Sequence, residues 1–146
     1  MTDKKTKGKA EIVLTRPAGD NHQVVRIVGG QGSYRKKPCA TCPWRRDAEI
    51  GAFPAEAYRH SAHTAYDMAK EAFSCHESGA TKPAACAGFL LKGSVHNLGV
   101  RMKLHMGTLD MSKVSDDGLD LYDSYREMAI ANGVDPDEEV LKPCRD

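Results

Sequence analysis

Apolar and polar positions follow two rhythms along the chain. "EIVLT" and "QVVRIV" are short β-branched runs separated by the turn-like "RPAGDNH", which predicts a β-hairpin over residues 10–28. "GGQGS" (29–33) reads as a flexible joint. From Pro54 the spacing becomes helical. Tyr58, Ala62, Ala65, Ala69, Ala72 and Phe73 recur on one face, which predicts a helix to about Phe73 or Ser74. The next apolar segment, "AACAGFLLKGSVHNLGVRMKLHMG", predicts one interrupted helix or two short ones. Gly88, Gly93 and Gly99 each weaken it by about 1 kcal/mol relative to Ala. "GLDLYDSYREMAIANG" predicts a third helix with Leu121, Tyr122, Tyr125, Met128 and Ala129 inward and Asn132-Gly133 as its stop. "DPDEEVL" predicts a short last one.

Composition changes this picture in one respect. The length suits a single domain over 10–146 behind a disordered basic tail (1–9), but aromatics are only 6% of the chain. Ordering each backbone residue costs roughly 1–2 kcal/mol, so a thin core makes a covalent or metal staple plausible. No stretch approaches the ~20 apolar residues of a membrane span. "MTDKKTKGKAE" has no apolar segment of the secretory kind, so the expected location is the cytoplasm. There, clustered cysteines mean metal or catalysis more often than disulfides.

The cysteines supply the candidate chemistry. Cys39 and Cys42 lie in "KKPCATCPWRRD" (36–47); Cys75 falls at the end of one predicted helix and Cys86 near the start of the next. A helix hairpin with the loop "HESGATKP" between its arms can aim the Cys75 and Cys86 thiolates at the loop carrying Cys39 and Cys42, as a tetrathiolate site requires. Inert buried thiols are a competing reading, although two of these cysteines sit in polar, turn-like stretches. A redox dithiol is another, but its CxxC would follow a core strand. The expected cofactor is a [4Fe–4S] cluster or Zn²⁺. Zinc suits four cysteines and would add on the order of 10–16 kcal/mol of folding energy. Iron–sulfur clusters accept scattered cysteines and a Cys-Pro step, and Trp44 would shield one from water, which tips the choice slightly to the cluster. His76, next to Cys75, and Cys144 are possible further ligands or neighbours of the site. His60 and His63 read as a solvated face.

"CATCPWRRD", "FSCHES", "CAGFLLKGSVHNLGVR" and "YREMAIANGV…LKPCR" together resemble a family of small bacterial and phage proteins with a C-x-x-C-P-W, C-H, C-A-G signature over roughly residues 35 to 145. The resemblance implies that Cys39, Cys42, Cys75 and Cys86 belong together, that "PCR" (143–145) is part of the pattern, and that the cytoplasm is a bacterial one. The opening stretch is also similar to the C-x-x-C-P-x-R segment of WhiB-type iron–sulfur regulators, but Ala48 stands where those proteins have a further cysteine. That similarity implies cluster chemistry only.

The fold class expected from all this is α+β: an N-terminal β-hairpin (10–28), then a small, mostly helical, metal-stapled domain. Its cysteine-bearing core spans 35–107 and its acidic C-terminal helices 108–146.

Charge bears on partners. Residues 21–46 hold six bases (Arg26, Arg35, Lys36, Lys37, Arg45, Arg46) and no acid, and residues 81–106 hold four (Lys82, Lys92, Arg101, Lys103) with none. Residues 110–139 hold ten acids and two bases. Either the two halves neutralise each other, or Arg35, Lys36, Lys37, Arg45, Arg46, Arg101 and Lys103 face a polyanion. There is no phosphate-binding loop, no dinucleotide fingerprint and no H-E-x-x-H. Four thiolates would also leave a metal no open position. The leading expectation is a regulatory module binding nucleic acid or a transcription protein. The alternatives are a redox-active iron–sulfur protein or metalloenzyme, and an acidic DNA mimic carried by residues 110–139.

Overall fold

The computed structural model describes residues 10–19, 22–29, 33–75 and 84–144. The basic tail, the middle of the Gly-rich joint and His76 lie outside the described residues. Two extended runs, β1 (Ala10–Gly19) and β2 (His22–Gly29), pair antiparallel ahead of the domain. The domain itself has α1 (Ala55–Ser61), α2 (Ala87–Lys92), α3 (Leu98–Met106) and α4 (Tyr125–Ala131), with 3-10 turns at Ala62–Ala65, Met111–Lys113 and Glu139–Leu141.

This corrects the expected α+β class. From Ser33 onward the described residues hold no β-strand and no sheet, only isolated bridges. That body is helical and loop: its α-helices span 7, 6, 9 and 7 residues, and long irregular segments connect them. The domain is one of short helices and loops.

Local chemistry explains the short helices. α1 stops well before Phe73 because Ser61 Oγ donates back to Ala57 O (3.0 Å) and Thr64 Oγ1 to Ser61 O (2.8 Å). Such bonds compete with the helical ladder, and Met68 adopts a left-handed φ of 65° beyond them. The α2/α3 segment is two helices, broken at Gly93. α3 is capped by Asn97, whose Oδ1 accepts from Val100 N (3.0 Å), and it ends on Gly107 in the left-handed conformation. In α4, Ser124 Oγ accepts from Glu127 N (3.0 Å) at the start, while Asn132 and Gly133 close the last turn. The expected final helix is only the 3-10 turn Glu139–Leu141.

The core centres on Trp44, fully buried beside Phe73, Phe89 and Tyr125, with ring centroids 5.9, 6.5 and 5.9 Å away. Around them pack Tyr58, Leu90, Leu121, Met128 and Leu141. Gly88 and Gly93, read from sequence only as helix weakeners, give the indole its place. A Cβ at Gly88 would lie 2.5 Å from Trp44 Cβ, and one at Gly93 would lie 2.5 Å from Trp44 Cη2.

Candidate metal centre

The loop that presents Cys39 and Cys42 is wound by its own backbone. Cys42 N donates to Cys39 O (3.2 Å) and Arg45 N to Cys42 O (3.2 Å). Pro38 and Pro43 are buried, fixing φ on either side of the pair. Arg45 locks the loop from outside: Nη1 donates to Ala40 O (3.0 Å), while Nε and Nη2 each reach the Asp47 carboxylate at 2.7 Å.

Two further segments meet this loop. Cys75 N donates to Ala84 O (2.7 Å) and Cys86 N to Phe73 O (2.8 Å), so that Ser74 and Ala85 form an antiparallel pair. Ala85 is bridged on its other side to Tyr34, with Arg35 N donating to Ala85 O (2.9 Å) and Ala85 N to Ser33 O (2.9 Å). The approach to the CxxC loop and the segments of Cys75 and Cys86 are thereby laced together. Cys75 lies in this extended bridge rather than at a helix end; the expectation is corrected because pairing with residues 84–86 replaces the helical ladder there. Cys86 is the N-cap residue of α2. Directly opposite residues share a face of an antiparallel pair and successive ones alternate. Cys75 and Cys86, diagonal across Ser74–Ala85, therefore share one face.

Cys42 Sγ and Cys86 Sγ lie 3.6 Å apart, and both residues are buried. The thiol hydrogen bond from Cys86 holds the Cys42 thiol below its ordinary range, helped by its backbone neighbours and the Arg45 charge and opposed by burial. Sharing that bond with Cys42, and then burial, push Cys86 well up. All five cysteines are free thiols. Among the described residues no group of three or more His, Cys, Asp or Glu side chains gathers closely enough to hold an ion. The structure thus brings Cys42 and Cys86 into contact, sets Cys39 one turn away and puts Cys75 on the face of Cys86. Cys144 is buried elsewhere, its Sγ 3.9 Å from Ala62 O and its backbone bridged to Tyr66. Trp44, two residues after Cys42, is fully buried in the core. Its Nε1 is buried, and no hydrogen-bond partner for it appears among the described residues.

The candidate cations divide into two groups. Arg46 pairs with Asp120 (3.3 Å), Asp123 (3.3 Å) and Glu127, and lies over the Tyr122 ring at 5.2 Å. Arg45 holds Asp47. Both are engaged internally, and the acids that engage Arg46 belong to the acidic third of the chain. Arg35 is half-buried beside the Ala85 bridge. Lys36, Lys37 and Arg101 are exposed and Lys103 half-buried; none of these four makes an ion pair within the described residues.

Sequence reasoning missed two polar anchors of the domain. Asn97, fully buried, donates through Nδ2 to Thr64 O (3.0 Å) and Glu71 O (2.8 Å) while capping α3. His63, read as a solvated face, is half-buried between His60 O (2.9 Å to Nδ1) and Glu71 Oε2 (2.7 Å to Nε2). The Asn before an apolar run was a legible cap signal; the long-range bonds were not.

Among the described residues, no helix is long and apolar enough to cross a membrane. No curated protein and no solved structure matches the chain. A family model does, over residues 34–145, the span that carries the CxxC loop, the Ser74–Ala85 bridge and the Trp44 core, and the chain belongs to that family, described as a family of unknown function (DUF6283).

Proposed function

We propose that this protein is a small metal-stapled binding module in which Cys39, Cys42, Cys75 and Cys86 hold a single tetrahedral ion, zinc before iron. The observation that supports this is the 3.6 Å separation of Cys42 and Cys86 sulfurs, which belong to segments 44 residues apart. Thiolates at about 2.3 Å from one tetrahedral zinc stand about 3.8 Å from each other. A [4Fe–4S] cube spreads its thiolates over separate irons and sets them farther apart, so the contact distance favours the single ion and reverses the preference drawn from the Cys-Pro step. The ion supplies tetrahedral coordination and folding energy, with no open position for substrate, so the role is structural and regulatory rather than catalytic.

The module's business is then with a macromolecular partner, in a reducing bacterial cytoplasm. For nucleic acid the contributors are Lys36, Lys37, Arg101 and Lys103, since Arg45 and Arg46 are engaged internally. A DNA mimic is disfavoured, because Asp120, Asp123 and Glu127 hold Arg46 while Glu138 holds Arg59.

Metal and acid-labile sulfide analysis of protein purified without oxygen tests the proposal. It expects about one zinc per chain and no sulfide. Several irons with stoichiometric sulfide would replace it with the cluster reading and a redox role. A chain that folds and melts cooperatively with neither metal would refute both.

A further inference from the structure

The surface of α3 is unlike that of the other helices. Val100 is buried, and a Cβ on Gly99 would come within 2.4 Å of Lys70 O, so the helix is seated on the domain along that side. Turned away from Val100, Met102 and Met106 form one i, i+4 row, 53% and 68% exposed, with Arg101 and His105 forming the adjacent row. Leu104 (41%), four residues on from Val100, borders Arg101 on the other side, and Val95 (70%) stands in the turn before the helix. Among the described residues these are four of the six large apolar side chains left in water. The same segment carries Arg101, Lys103 and His105 and no acid. The helix dipole accounts for cations in a last turn; it does not account for a methionine row beside them, and methionine suits surfaces that mould to a partner.

We propose that this face of α3 docks an acidic amphipathic segment of a partner protein, a helix with apolar residues on one side flanked by Asp and Glu. Charge complementarity selects the occupant: the cations of α3 make no ion pair within the described residues, and apolar side chains beside them exclude a purely phosphate-contacting surface. A second copy of the chain is a poor occupant. Its acidic stretch has its apolar residues Leu121 and Tyr122 buried, and Asp120 and Asp123 already hold Arg46. The inference deepens the binding-module reading by naming the partner's chemistry, and it stands apart from the metal because α3 contributes no thiolate.

The test uses the full chain with its metal content measured, and a labelled 20-residue peptide of Leu at helical spacing, Glu and Ala. Binding is followed by fluorescence anisotropy and by NMR shift mapping. The expected result is saturable binding with shifts over residues 95–106, weakened at least about tenfold by Met102→Ser/Met106→Ser and similarly by Arg101→Glu/Lys103→Glu. A scrambled peptide of equal charge should bind at least about tenfold more weakly. Both variant pairs change exposed or half-exposed side chains, and retention of the parental melting temperature verifies folding. No binding at about 1 mM, shifts elsewhere, equal binding by the methionine variant, preference for a DNA duplex over the peptide, or a dimer that dissociates in the methionine variant would each overturn the proposal. With one zinc bound, any of these defeats the docking face alone and leaves the metal staple standing.

Discussion

Replacing Gly93 by Ala should destabilise the protein although the backbone there suits Ala. Gly93 has φ −124° and ψ 3°, outside the left-handed region, and closes α2. On conformational grounds Ala would therefore stabilise by about 0.4–1 kcal/mol through the unfolded chain. The new Cβ, however, would sit 2.5 Å from Trp44 Cη2, 3.1 Å from Cζ2 and 3.3 Å from Phe89 Cδ1. Trp44 is fully buried and hemmed by three other rings, so it has nowhere to retreat. Overpacking of this kind costs about 1–3 kcal/mol, which leaves a net loss of roughly 1–2 kcal/mol. Trp44→Phe removes both clashing indole carbons. In that background Gly93→Ala should become neutral or stabilising, a coupling of about 1–3 kcal/mol. Gly88→Ala is the internal control: its Cβ would meet Trp44 Cβ and Cγ at 2.5 and 2.7 Å, atoms that Phe retains, so it should not be rescued. Urea unfolding followed by circular dichroism at fixed metal occupancy reads all of this, with unchanged m-values required. Additivity of Gly93→Ala and Trp44→Phe within about 0.5 kcal/mol, or equal rescue of Gly88→Ala, would refute the wedge.

Three further outcomes are expected. Cys42→Ser or Cys75→Ser should release the metal and lower melting sharply, whereas Cys144→Ser should keep its metal; metal analysis beside a thermal melt decides, and equal small effects from all three would sink the tetrathiolate. Asn97→Ala removes a cap worth about 1 kcal/mol and strips the buried Thr64 O of a donor at about 1–3 kcal/mol, with a smaller loss at the half-buried Glu71 O; a urea midpoint barely moved would show that water replaces the amide. The Tyr125 hydroxyl donates to Tyr58 O (2.5 Å) and meets Ser61 Oγ (2.6 Å), and burial pushes both phenols, Tyr58 and Tyr125, above their ordinary range. The unfolded chain ionises them near pH 10, so their contribution is intact below that value and is lost as pH rises past it. Tyr125→Phe should cost about 1–2 kcal/mol at neutral pH and flatten the alkaline fall in urea midpoint above about pH 10; an identical slope would remove Tyr125 from the account.

What the sequence made legible was decided within a few residues. The interruption between α2 and α3 followed from its glycines, and the stop of α4 from Asn132-Gly133; the start of α4 was misplaced, because the helical reading ran back over Leu121 and Tyr122, which precede the Ser124 cap. What it concealed was decided over long separations. The hydroxyls of Ser61 and Thr64 look like ordinary helix positions until they bond backward and end α1. Cys75 reads as a helix end until Ala85 is seen bridged to both Ser74 and Tyr34. Arg46 reads as a phosphate contact until Asp120, Asp123 and Glu127, more than seventy residues away, enclose it. The glycines were read by propensity alone, because no periodicity announces that an indole will lie across them.

Trp44 ties these observations into one mechanical unit. It lies two residues from Cys42 in the loop wound by Cys39, and its ring rests on α2, the helix that Cys86 begins. Gly88 sets its Cβ end against that helix and Gly93 the far edge of its ring, so the registry of the loop on α2 is fixed at both ends of one side chain. That registry, together with the bridge of Ala85 to Tyr34, accompanies the 3.6 Å approach of Cys42 to Cys86. The bridges of Ala85 to Tyr34 and Ser74 lace the same segments together, and an ion bound between the two thiols would in turn hold the indole in its groove. With an ion bound there, core and site would form a single cooperative element: steric pressure at Gly93 should loosen the ion, and its removal should release Trp44 toward solvent, visible as a red shift of its emission.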